Sequence, residues 1–115
     1  MTSYSFGDLV LVPFPFLDLK TTKRRPALIL TSFQPKTLPP FSIIAMITSQ
    51  LEGENLPGDY RLKDWNGAKL LHPSKIRLAK VVSVEHQLFL KKLGNLKPVD
   101  LSACNQAWNQ MFSAR

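Results

Sequence analysis

Apolar residues in the first part of the chain come in short continuous runs, separated by proline, glycine and charge. Asp8-Leu9-Val10-Leu11-Val12 reads as a buried strand, closed by Pro13-Phe14-Pro15-Phe16 because proline cannot donate to a ladder. Leu17 to Arg24 is polar and runs into Lys23-Arg24-Arg25, the pattern of a loop. Pro26-Ala27-Leu28-Ile29-Leu30-Thr31 predicts a second strand, bounded by the proline-rich stretch from Pro35 to Pro40. Ser42-Ile43-Ile44-Ala45-Met46-Ile47-Thr48 predicts a third. Runs that stay apolar, instead of alternating, belong to strands covered on both faces, as in a compact barrel or sandwich.

Further along, Glu52 to Pro57 is turn-rich and acidic, and Asp59-Tyr60-Arg61-Leu62 predicts a short strand before the Asn66-Gly67 turn. From Lys75 to Val82 charged and apolar residues alternate, then drift apolar, which predicts a half-buried strand. Leu88-Phe89-Leu90 with Lys91-Lys92-Leu93 is a weaker strand pattern closed by Gly94-Asn95. The period then changes. Leu101, Cys104, Trp108, Met111 and Phe112 recur at three- and four-residue spacing, the stripe of a terminal helix, and Pro98 suits its first turn. The expected fold is mainly β with helices: a strongly curved antiparallel sheet capped by a C-terminal helix, with room for a shorter helix between strands. Residues 1–115 are expected to form one domain.

Composition adds little to that picture, and charge adds more. With 44% hydrophobic and 20% charged residues, the chain is ordinary for a soluble globular protein. Its single cysteine, Cys104, precludes an intrachain disulfide, and Met1-Thr2-Ser3-Tyr4 lacks the basic and apolar regions of a signal peptide. No apolar run approaches the roughly 20 residues of a spanning helix, so a cytoplasmic, membrane-free protein is expected. Fifteen Lys and Arg against eight Asp and Glu give +7 and a pI near 9.9. Such an excess favours polyanions, although it also serves simple solubility.

The familiar catalytic signatures are missing. His72, His86 and Cys104 have no zinc-ligand spacing, and no glycine-rich phosphate loop or G-x-S-x-G elbow occurs. Carboxylates are scattered, so an enzyme here is expected to work without cofactor or metal. Two constellations remain. Lys20-Thr21-Thr22-Lys23-Arg24-Arg25-Pro26 is a basic, hydroxyl-bearing stretch that ends where a strand begins, suited to a phosphate backbone or to a solvated hairpin tip. Ile47-Thr48-Ser49-Gln50 presents polar groups where an apolar strand stops, suited to a phosphate oxygen or to a turn.

Taken together, these blocks resemble a known family. Gly7-Asp8-Leu9-Val10-Leu11-Val12-Pro13-Phe14-Pro15-Phe16, followed by Lys23-Arg24-Arg25-Pro26-Ala27-Leu28-Ile29-Leu30, is similar to the N-terminal signature of MazF/PemK-like toxins. Ile43-Ile44-Ala45-Met46-Ile47-Thr48-Ser49 resembles the family's next strand, and Leu71-His72-Pro73-Ser74-Lys75-Ile76-Arg77 stands where its following motif lies. The resemblance runs from about Phe6 to Val84. It implies an SH3-like barrel, a two-fold homodimer, metal-independent cleavage of single-stranded RNA, and neutralisation by an acidic antitoxin. Carried over by motif, Arg25 and Thr48 fall on the catalytic arginine and threonine. Where some members have a carboxylate before the arginine this chain has Arg24, and where others have an Asp in the fourth motif it has Ser74. That leaves His72 as the candidate for proton transfer, histidine being the usual residue for that role. Lys20, Lys23, Arg24, Ser49, Ser74 and Arg77 are the expected RNA contacts.

Two rival readings use the same residues. One is a non-catalytic module that binds single-stranded RNA through charge and exposed Phe14, Phe16 or Trp65. The other is a protein-directed toxin of the gyrase-inhibiting kind. The same apolar residues also leave room for a dimer interface.

Overall fold

The computed structural model describes residues 3–13 and 23–112. Its elements are β1 (Asp8–Pro13), β2 (Arg24–Phe33), β3 (Phe41–Thr48), β4 (Asp59–Arg61), β5 (Lys75–Glu85), a 3₁₀ turn (His86–Leu88), β6 (Lys91–Asn95) and α1 (Pro98–Met111). The strands form one antiparallel sheet in the order β4-β5-β3-β2-β1-β6. Its register shifts at Leu9/Val10, Ile29/Thr31 and Ala45/Met46. Such irregularities bend the bulged strand and increase twist, which curls this sheet toward a barrel.

Both faces of the sheet are packed, as the unbroken apolar runs predict. One face carries Leu9, Leu28, Ala45, Ile47, Ile76 and Leu78 under the helix, whose Leu101, Cys104, Trp108 and Met111 close the main core. The other carries Val10, Val12, Ala27, Ile29, Ile44 and Met46, with Tyr4 and Phe89 against them. Gly7 makes the first junction possible. It has φ +99°, and a Cβ there would lie 2.5 Å from Leu101 Cδ1.

The start of α1 is anchored by a buried carboxylate. Asp100 accepts hydrogen bonds from Tyr60 Oη (2.6 Å), Lys63 N (2.9 Å) and Asp64 N (2.8 Å). Burial and the adjoining Asp100 carboxyl raise the Tyr60 pKa, so this phenol stays a donor. Burial, with Asp100 nearby, also pushes the Cys104 thiol up to about 12, which makes it a packing residue and not a nucleophile.

Three sequence expectations change. Arg24 and Arg25 belong to β2, not to a loop, because β1 continues to Pro13 and pairs Pro13 with Arg24 and Val12 with Arg25. Pro26 is tolerated inside β2 because the β3 ladder begins only at Ala27↔Met46, so its missing N–H faces an unpaired side. The strand expected from Leu88 starts only at Lys91: Phe89 N donates to His86 O, and the Phe89 ring turns onto the second core. The shorter helix between strands is a single 3₁₀ turn.

Candidate functional site

Cross-strand partners share a face of a sheet, so the register determines which side chains stand together. At one end of the sheet Val12 pairs with Arg25, Thr48 with Lys75, and Lys75 with Arg61. The β2–β3 ladder starts at Ala27↔Met46, two residues inward from Arg25 on one strand and from Thr48 on the other. Arg25 and Thr48, taken from separate motifs, thus lie at the same end of the sheet, where Lys75 and Arg61 continue the row from Thr48. Thr48 Oγ1 accepts a hydrogen bond from Gln50 N at 3.1 Å, which folds the chain at the strand end. That bond uses a lone pair and leaves the hydroxyl proton to donate.

Arg25 also lines a cleft of ≈ 400 Å³. Arg24, Arg25, Ser49, His72 and Ser74 all line it, so five of the nine expected site residues converge there. Lys69 and Lys91 add two cations, and among the described residues no carboxylate lines it. Leu11, Pro26, Leu70 and Leu93 provide apolar surface between the charges. Arg24 and His72 are exposed, while Arg25 is half-buried. Ser74 is buried and its hydroxyl donates to the His72 carbonyl at 2.8 Å, which shapes the turn that carries the imidazole. Ser49 and His72 also border an adjoining hollow together with Glu52.

The remaining expectations are placed elsewhere. Thr48 is in the row but not in the cleft lining, and Arg77 stands one row inward, opposite Met46. Arg77 Nη1 is 3.9 Å from Asp59, and its Nη2 donates to the Glu54 carbonyl at 3.4 Å. Lys23 is exposed just before β2, whereas Lys20, Phe14 and Phe16 lie outside the described residues. Trp65, expected to be exposed, is half-buried against the main core because the turn after β4 folds it inward. His86 is remote from the cleft: Ser42 Oγ lies 2.7 Å from its Nε2, and Ser32 Oγ 2.6 Å from Ser42 Oγ. Burial lowers its pKa, and Tyr4 and Phe89 pack against its ring.

The sequence reading missed Lys69, Lys75, Lys91 and Glu52. The Lys-Ile-Arg-Leu alternation puts Lys75 on the side opposite Ile76, which reads as solvent. In the structure β4 and the preceding loop cover it, and its ammonium lies 3.1 Å from Asp59 and 2.9 Å from Asn55 Oδ1. Only the overall positive charge pointed toward Lys69 and Lys91. A larger hollow of ≈ 680 Å³ runs along α1 between Phe6, Leu30 and Trp108, but none of the described residues that line it is ionisable. Among the described residues no cluster of three His, Cys, Asp or Glu is placed to hold a metal ion. Within them no helix is long and apolar enough to cross a membrane.

Comparison with known proteins agrees with this architecture. An endoribonuclease from a mycobacterial species, solved with its cognate antitoxin, superposes with a TM-score of 0.69 at 10% identity, covering 98% of this chain and 100% of that one. MazF from Deinococcus radiodurans, in its MazE-MazF structure, gives 0.68 at 15% identity over 100% of both chains. The Mycobacterium tuberculosis toxin MazF-mt6 gives 0.64 at 18% identity over 91% and 95%. At these identities the likeness establishes the fold. No curated protein matches in sequence. The family model for the PemK-like, MazF-like toxin of type II toxin–antitoxin systems matches residues 5–112, and the chain belongs to that family.

Proposed function

We propose that the protein is the toxin of a type II pair and acts as one domain, a metal-independent endoribonuclease that cuts single-stranded RNA. The observation that carries this reading is the presence of Arg25 and Thr48 at one end of the sheet, with a cleft there to which the described residues bring four cations and no carboxylate. Such a cleft attracts a phosphate backbone, and by the same charge a carboxylate-rich segment that competes for it. The 2′-hydroxyl oxygen attacks the adjacent phosphorus, the bond from phosphorus to the 5′-oxygen breaks, and a 2′,3′-cyclic phosphate and a 5′-hydroxyl result. Negative charge gathers on the non-bridging oxygens in the transition state. The planar, permanently charged guanidinium of Arg25 matches those oxygens, and the Thr48 hydroxyl donates to one of them. His72 on the cleft wall takes the 2′-hydroxyl proton, and water returns one to the departing oxygen. Lys20, Lys23, Arg24, Ser49, Ser74 and Arg77 are assigned to the RNA track or to its shape.

The same reading makes the protein a cytoplasmic homodimer held in check by an acidic antitoxin. The mycobacterial relative described as an endoribonuclease with its cognate antitoxin supports that partner class. Purified protein incubated with a long unstructured RNA in EDTA tests the proposal. Discrete cuts ending in 2′,3′-cyclic phosphate are expected. Retardation without cuts would indicate an RNA-binding module, and neither effect a protein-directed toxin.

A further inference from the structure

We propose that Lys69 binds a second phosphate of the RNA, next to the one held by Arg25; this rests on the ribonuclease reading. Lys69 is the one non-glycine among the described residues with positive φ, at +75°. It follows a tight helical turn in which Ala68 N donates to Asp64 O, Lys69 N to Asn66 O and Leu70 N to Trp65 O. A residue that ends such a turn in the left-handed conformation is ordinarily glycine, which adopts it without steric cost. Backbone strain of this kind concentrates where a side chain has work to perform.

The surroundings of Lys69 point in the same direction. Gly94 of β6 passes so close that a Cβ there would lie 2.5 Å from Ala68 O and 2.8 Å from Lys69 Cγ. The missing side chain at Gly94 thus seats the turn, with Lys69 on the cleft that Arg24, Arg25 and Lys91 also line. Lys75 and Lys92 are engaged by Asp59 and Asp8, whereas Lys69 forms no ion pair among the described residues. An exposed ammonium in a cleft that no carboxylate of the described residues lines, beside leucines that can take a base, fits a nucleotide flanking the scissile bond.

Glycine at this position separates strain from function. Lys69→Gly relaxes the backbone while removing the charge, and Lys69→Asn removes the charge in a residue that tolerates positive φ. Binding of a non-cleavable 2′-O-methyl RNA is measured against salt, alongside thermal melts, for the wild type, both variants, Lys69→Arg and Lys36→Ala. Lys36 is exposed on the β2–β3 connection, at the far end of the sheet from Arg25. Both neutral variants should melt at or above the wild-type temperature yet lose about 0.7 from the slope of log affinity against log salt. Lys69→Arg should keep the slope, and Lys36→Ala should leave it unchanged. An unaltered slope in both neutral variants, or an equal loss in Lys36→Ala, overturns the assignment while the ribonuclease reading stands. Absence of wild-type binding together with absence of cleavage removes both.

Discussion

On the proposed mechanism Arg25, paired with Val12, supplies a positive charge at the end of the sheet, and Thr48, at the end of β3, supplies a proton donor. Arg25→Ala should lower the cleavage rate by about 10²- to 10³-fold, the usual loss for one transition-state donor. Thr48→Val keeps the shape and should cost less, with melts close to wild type for both; a fully active Arg25→Ala would falsify the mechanism. His86 gives a different, purely structural prediction. Its folded-state pKa lies below the ordinary 6.5, so the unfolded chain binds the proton more readily. Its contribution is present above 6.5 and is lost as pH falls below that value. Melting temperature should therefore drop on acidification, and His86→Gln should flatten that dependence. An equally steep profile in the variant would assign it to other groups.

At the scale of elements, one carboxylate ties the start of α1 to β4 and the turn after it. Asp100 satisfies a phenol and two backbone amides of the turn after β4, all of which Asp100→Ala would leave without their acceptor. A loss of about 3 kcal/mol in unfolding free energy is expected from denaturant titration. A change under about 0.5 kcal/mol, ordinary for a surface residue, would show that water replaces the carboxylate. The element types were legible in the sequence because apolar runs and a three-to-four spacing are local properties. The 3₁₀ turn at His86–Leu88 was not, since the Phe89 ring is drawn away by Tyr4 and the second core, contacts far off in sequence. Arg24 and Arg25 look like a loop for the same reason: only pairing with Val12 and Pro13 makes them strand.

For the whole molecule, an excess charge of +7 makes a carboxylate-rich segment a natural competitor of RNA. An acidic antitoxin peptide and a non-cleavable RNA should each weaken the binding of the other in a calorimetric competition. Independent binding of the two would place the antitoxin on a different surface.

Arg25 and Thr48 could be named from sequence only because their motifs resemble those of a known family; the local pattern alone fitted a solvated loop and a turn equally well. Strand type, helix position and the sign of the surface charge followed from composition and periodicity alone. Which of these residues share a cleft did not, because the register across β1, β2, β3 and β5 is a sum of long-range hydrogen bonds. Lys75 shows the limit most clearly. Its alternating neighbours mark it as exposed, and only the fold of β4 and its loop places Asp59 and Asn55 on its ammonium. Lys69 is the converse case: a residue in an ordinary turn sequence acquires its strained backbone and its place on the cleft from the close passage of Gly94.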